Sequence, residues 1–305
     1  MSAITATSKV SEAAAPEQAP QVAIRDVFFA SDLSPRSDRA FDHARLLAER
    51  FRARMTIFHA IERSELQATA TADVSAEIWR RFAEEAREHL AIGTRTLTVA
   101  HEVLVDPNPS ARRALLALVA SRRPDVVVMA THGREGLSHL LLGSVTEALI
   151  RHGECPVLCV REPDHGTALP YRRIMVPTDL SEPSKRAFPL AAHLARAFES
   201  EVVGVHVGAA PPDSRLLGTA HWVEFETPDQ DRVERFLEPA FRGVRFSARV
   251  RQGEPWREIV AAALEERADL LVVSTRGAGS LAKRLLGSHA ERVTRHASCP
   301  VLVVP

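Results

Sequence analysis

The sequence lacks the residue patterns that mark several specialised architectures. Three cysteines in 305 residues are too few for a disulfide framework. No CxxC pair occurs, so the usual spacing of a zinc site is missing too. Charge of one sign is not in excess, since 39 Lys and Arg residues balance 39 Asp and Glu. That balance gives no footprint for nucleic acid or an anionic membrane surface. No run of 18 apolar residues is present, so no transmembrane helix is expected. There is no GxxxxGK[ST] loop, and with it no expectation of P-loop NTPase machinery. Gly277-Ala-Gly279 begins like a dinucleotide fingerprint, but position 282 is Ala and the acidic partner is missing. No Ser-His-Asp arrangement can be assembled from spacing alone.

What remains is an ordinary soluble composition, 45% hydrophobic and 26% charged. The length suits two domains of about 140 residues, each able to build its own core. Residues 1–21 are Ala, Ser, Thr, Glu, Gln and Pro-rich without a sustained apolar stretch. They read as a disordered tail rather than a signal peptide. Cys155 and Cys159 share a strand face, and Cys299 holds the matching place later in the chain. Core packing is the reading for all three, and low cysteine use fits a reducing cytoplasm.

The most informative stretch runs from Val126 to Val160. The apolar run Val126–Met129 reads as a buried strand, Gly133 punctuates it, and Gly143-Ser144 precedes an amphipathic segment with Val145, Leu149 and Ile150. Strand, glycine loop and helix N-terminus together make an anion site. The first helical N–H groups lack intrahelical acceptors, and glycine removes the Cβ that would keep a phosphate away. The whole stretch then repeats. Gly133, Gly143, Arg151, His152, Cys155 and Pro156 reappear 144 residues later as Gly277, Gly287, Arg295, His296, Cys299 and Pro300. Upstream, Ser31-Asp32-Leu33-Ser34 returns as Thr178-Asp179-Leu180-Ser181, and His59 as His206, at an offset of 147. A loop-length difference accounts for the change of offset.

Each repeat alternates strands and helices. In the first, strands are expected at Ala23–Ala30, Met55–Ala60, Thr96–Val105, Val126–Met129 and Pro156–Val160. Helices follow Ser34-Pro35, span Ala76–Ile92 and Ala111–Ser121, and follow Gly143. In the second, strands are expected at Ile174–Pro177, Val202–Val207, Arg245–Arg251, Leu270–Val273 and Val301–Val304. Its helices are Ser181–Phe198, Asp229–Phe241 and Pro255–Arg267, with a loop or lid at Pro211–Phe225. This pattern predicts an α/β fold of two doubly wound parallel-sheet domains, 22–161 and 170–305, joined by a linker at 162–169. In such sheets ligands sit beyond the carboxyl ends of the strands, at the switch point. Asp32 with the Gly133 loop, and Asp179 with the Gly277 loop, flank those points. Both aspartates are equally suited to capping the first helix. His59 and His206, at strand ends, read as structural rather than metal-binding.

The ordered, duplicated set of motifs resembles the universal stress protein family in its tandem two-domain form. The features are a strand ending in Thr/Ser-Asp, a second ending in His-x, a glycine-x9-glycine-Ser loop and a closing Cys-Pro-Val-Leu strand. The resemblance implies an adenine nucleotide alpha hydrolase-like, Rossmann-like fold with strand order 3-2-1-4-5, the fifth strands pairing the domains. It implies ATP, ADP or AMP as ligand, with magnesium as an accompanying ion. Carried over by motif, the site residues of the first domain are Ser31, Asp32, Ala60, Met129, Ala130, Gly133, Gly143, Ser144, Val145 and Thr146. Those of the second are Pro177, Thr178, Asp179, Val207, Val273, Ser274, Gly277, Gly287 and Ser288. Ala130 and Ser274 stand where the family loop begins with glycine, and Ser274 offers a hydroxyl as a phosphate donor. His289 stands opposite Val145, which favours the first domain.

These implications describe a cytoplasmic, nucleotide-binding sensor or regulator with no catalytic residue and no metal ligand to nominate. A protein partner is implied without being named, and a homodimer is left open. The competing readings are a stress scaffold without nucleotide, for which Ala130 and Ser274 mark lost sites, and a slow ATPase.

Overall fold

Among the described residues, ten short apolar runs rich in Val, Ile and Leu form one mixed sheet, and eight α-helices cover its two faces. The computed structural model describes residues 22–61, 76–106, 110–131, 142–161, 169–208, 229–275 and 288–305. The Pro211–Phe225 loop, the tail, most of the linker, and Gly133, Gly277 and Gly287 lie outside those residues.

The first half contributes β1 (Asp26–Ala30), α1 (Pro35–Phe51), β2 (Arg54–Ala60), α2 (Ala76–Thr94), β3 (His101–Asp106), α3 (Ala111–Arg122), β4 (Val126–Ala130), α4 (Ser144–His152) and β5 (Val157–Val160). The second half contributes β6 (Arg173–Thr178), a 3-10 turn at Glu182–Ala187, α5 (Phe188–Phe198), β7 (Glu201–Gly208), α6 (Gln230–Phe241), β8 (Phe246–Gln252), α7 (Pro255–Glu265), β9 (Leu270–Ser274), α8 (Ser288–His296) and β10 (Val301–Val304). The strand order is β3-β2-β1-β4-β5-β10-β9-β6-β7-β8. Each half is therefore parallel in the order 3-2-1-4-5. The two meet where β10 runs antiparallel to β5, with Leu302 opposite Leu158.

Burial on both faces explains why the strands are apolar throughout rather than alternating. Phe29, Ile57, Val128, Val176 and Val272 join α1, α5 and α6 in one core. Phe28, Val127, Leu271 and Val303 join α3, α4, α7 and α8 in the other. In α1, Ala40, Ala44, Leu47 and Ala48 recur at helical spacing and are buried. Ser34 caps the helix by accepting from the Ser37 N–H, and Pro35 occupies the first turn, where a missing N–H costs nothing.

Two elements differ from the periodicity. The third strand begins at His101, because α2 continues to Thr94 and its end is sealed locally. Leu97 N–H donates to Thr94 O at 3.0 Å, and the Thr94 and Thr96 hydroxyls donate to Ala91 O and Gly93 O. The first helix of the second half is split. Pro189 carries no N–H for the Lys185 carbonyl, and the Phe188 N–H takes that acceptor instead, so the preceding turn winds as 3-10. The corresponding residue in α1 is Asp42, and α1 is α-helical from its first residue.

Candidate functional site

In each half the chain order reverses between the first and fourth strands, so a crevice opens beyond their carboxyl ends. In the first half β1 and β4 stay paired to Ala30↔Met129. The chain then leaves β1 through Ser31, Asp32 and Leu33, and Leu33 adopts φ +59. A leucine pays about 1 kcal/mol or more for that left-handed conformation. Local bonds hold it there. The Leu33 N–H donates to Ser31 Oγ at 3.0 Å. Asp32 Oδ1 accepts from the Ser34 N–H at 3.0 Å, from the Ser34 hydroxyl at 2.6 Å and from the Ser37 hydroxyl. Asp32 is thus not the cap of α1; it braces the serine that is.

Its second oxygen behaves differently. Asp32 Oδ2 is buried and, among the described residues, accepts no hydrogen bond. A carboxylate oxygen shut from water without a donor is costly, by about 1–3 kcal/mol or more.

Across the crevice, three contacts seat the N-terminus of α4 over the end of β4. Thr131 N–H donates to Val160 O at 2.9 Å, Gly143 N–H donates to Thr131 O at 2.7 Å, and the Thr146 hydroxyl donates to Ala130 O at 3.3 Å. Gly143 has φ −58, which any residue can adopt, so conformational freedom is not what the position requires. It requires space. A Cβ there would lie 2.9 Å from Thr131 O, closer than real Cβ contacts come. Among the described residues no side chain caps α4, so the N–H groups of its first turn face the mouth. Ser144 is exposed beside them, Val145 is partly exposed and Thr146 is buried. Ala60 and Met129 line the strand ends and are buried, and Ala130 is partly exposed.

His59 ties the floor together by donating from Nδ1 to Ser31 O at 2.9 Å. His206 does the same to Thr178 O at 2.9 Å. Both act as strand clamps, and no group of metal-ligating side chains is found among the described residues.

The second half repeats the layout with other bonds. Leu180 is again left-handed, at φ +61, and its N–H donates to Thr178 Oγ1 at 3.0 Å. Asp179 Oδ1 takes the Ser181 N–H at 3.0 Å and the Ser181 hydroxyl at 2.5 Å, but Asp179 is exposed. Ser184, the counterpart of Ser37, gives its proton to Ser181 O at 2.7 Å. Thr178 must then donate to Ser184, 2.9 Å away. The crevice is also shaped differently. Ser31 N–H donates to Phe58 O, so Ala30, its neighbour on the alternating backbone, faces β4. The counterpart of Ala30 is Pro177, which has no N–H for β9, and the β6–β9 register ends at Met175↔Leu271. Val207 and Val273 line the strand ends. Ser274 donates its hydroxyl proton to Pro183 O at 3.1 Å. Lone pairs are what it then offers an incoming group, which suits a phosphate poorly. Ser288 is exposed at the start of α8.

Pattern reading misses the left-handed leucines and the buried, donorless oxygen of Asp32. Leucine gives no signal for positive φ; the recurrence of Asp-Leu-Ser in both halves is the available hint. Burial of one carboxylate oxygen is a tertiary property with no local signature.

A model of the universal stress protein family matches residues 23–161 and again residues 170–305. A universal stress protein of Methanocaldococcus jannaschii is 34% identical over 139 residues, which span 44% of this chain and 82% of that protein. One from Thermus aquaticus is 35% identical over 137 residues, 44% of this chain and 98% of that protein. A solved universal stress protein from Archaeoglobus fulgidus covers 92% of this chain and 97% of its own, with a TM-score of 0.66 at 22% identity. That last likeness is one of fold.

Proposed function

Since the chain belongs to the universal stress protein family and carries its domain twice, we propose that its first half binds an adenine nucleotide at the β1/β4 crevice. Nucleotide occupancy, rather than turnover, is its output. Asp32 carries the reading. Its buried Oδ2 lacks a donor, and an adenine amino or ribose hydroxyl group supplies one. On the opposite lip, the first-turn N–H groups of α4 and the Ser144 hydroxyl receive phosphate, with the positive end of the helix dipole behind them. Gly143 keeps that helix seated against Thr131. ATP fits this span from base to phosphates, and ADP or AMP uses part of it. Magnesium accompanies the phosphates of ATP. Gly133 belongs to the same loop by motif.

The second half is the weaker site. Asp179 is exposed and the Ser274 proton is committed, so this half serves mainly as a structural partner. The action is that of a stress-response sensor or regulator. The three buried thiols, none of them in a disulfide, suit a reducing cytoplasm.

Mass spectrometry of nucleotide released from denatured, freshly purified protein tests the reading, followed by calorimetric titration with ATP and magnesium. Binding that Gly143→Asp and Asp32→Asn weaken supports it. Silence in both measurements overturns it and leaves the scaffold reading.

A further inference from the structure

Among the described residues, several contacts between the halves are palindromic. Leu158 meets Leu302, its own counterpart 144 residues on. Phe51 meets Phe198, its counterpart at 147, with ring centroids 6.1 Å apart. Glu147 and Arg151 on α4 repeat as Glu291 and Arg295 on α8, and Arg151 reaches Glu291 across the junction at 3.8 Å. A first half meeting another first half would find the same leucine, phenylalanine and charges. None of these contacts can tell the halves apart.

One contact can. His43 Nδ1 on α1 lies 2.7 Å from the Tyr171 hydroxyl, just before β6, with the rings stacked at 5.7 Å. His43 is 3% exposed and Tyr171 is fully buried. The repeat offset assigns their counterparts as Leu190 and Ile24, which are buried in the same core. Pairing of unlike halves therefore sets polar against polar at one place and apolar against apolar at the other. Pairing of two first halves would set His43 against Ile24 twice. Pairing of two second halves would set Tyr171 against Leu190 twice. Both arrangements bury a polar group against an aliphatic one and forfeit this hydrogen bond.

We propose that His43 and Tyr171 are a pairing code, by which the junction surface of a first half accepts a second half and rejects another first half. The partner it fits is the second half of this chain or of a second copy. Head-to-head assembly of like halves is what it excludes.

The test uses full-length chains refolded at high concentration, in a background without the native cysteines and with Leu158→Cys as reporter. Position 158 sits on the pseudo-two-fold, so two first halves that pair bring the introduced thiols of two chains together and form an interchain disulfide. In the native pairing the introduced thiol faces Leu302. Wild type at positions 43 and 171 should give little cross-linked dimer. His43→Leu with Tyr171→Ile, each the residue the other repeat carries, should raise it about fivefold or more. Adding Ile24→Tyr and Leu190→His, which moves the pair to the other side, should return it to the starting level. Tyr171→Phe keeps the ring and removes the bond, so it should raise cross-linking about twofold or more even where the double variant folds poorly. Cross-linking that stays at the starting level in Tyr171→Phe and in the folded double variant overturns the proposal. So does a four-residue variant that remains cross-linked.

Discussion

The two halves build the same turn and finish it differently. After β1, Asp32 collects three donors on one oxygen and keeps the other buried. After β6, Asp179 is exposed, and the serine that would have reached it bonds Ser181 O instead. The cause lies several residues downstream. Pro189 imposes a 3-10 winding on the turn that carries Ser184, whereas Asp42 leaves Ser37 on an α-helix. A motif can thus be retained in sequence while the winding of the next helix decides whether its carboxylate keeps one oxygen buried or only closes a turn.

The largest effect that would break this comparison is at Gly143. Gly143→Asp places a Cβ against Thr131 O and a negative charge at the helix mouth. ATP affinity by calorimetry should fall about 100-fold or more, with the counterpart change at Gly287 costing far less. Equal losses would show that both halves bind. Next comes Asp32→Asn, which should cost about 1–2 kcal/mol in urea unfolding and about tenfold in ATP affinity. Asp179→Asn should cost under about 0.5 kcal/mol and leave affinity unchanged.

A smaller effect concerns His193, which stacks on Phe51 at 4.8 Å across the junction. Burial, then the charges of Arg196 and Arg50, hold its pKa below the ordinary 6.5. The unfolded chain therefore takes up a proton that the folded one resists. Stability is intact above about pH 6.5 and declines as pH falls below it. His193→Leu installs the residue that the first half carries at position 46 and should flatten that decline, as read by thermal melts from about pH 7.5 to about pH 5. An unchanged slope would assign the decline elsewhere, His296 being a second histidine whose pKa burial lowers. The smallest effect is expected at the thiols. Burial pushes Cys155 up to about 12 and Cys159 higher still. Iodoacetamide at about pH 8 should leave both unmodified until the chain unfolds. Labelling of the native protein would place a thiol at the surface.

Element order and sheet order are legible because the information is local and repeated. Strands buried on both faces read as continuous Val, Ile and Leu runs, and the offsets of 144 and 147 let each half check the other. Ser34-Pro35 announces the start of α1 for the same reason. The split at Pro189 is written in the sequence but masked, because apolar periodicity continues through it. The bonds that separate the two sites are not legible. Whether Ser274 points its proton at Pro183, 91 residues away, depends on a tertiary contact. The same holds for His43 and Tyr171, 128 residues apart.

Because β5 and β10 run in opposite directions, the carboxyl ends of the two half-sheets point to opposite ends of the molecule. The crevices are back to back. Whatever enters the first crevice does so at one pole and leaves the other pole open. The continuous ten-stranded sheet lies between the two crevices and sets the distance that separates them.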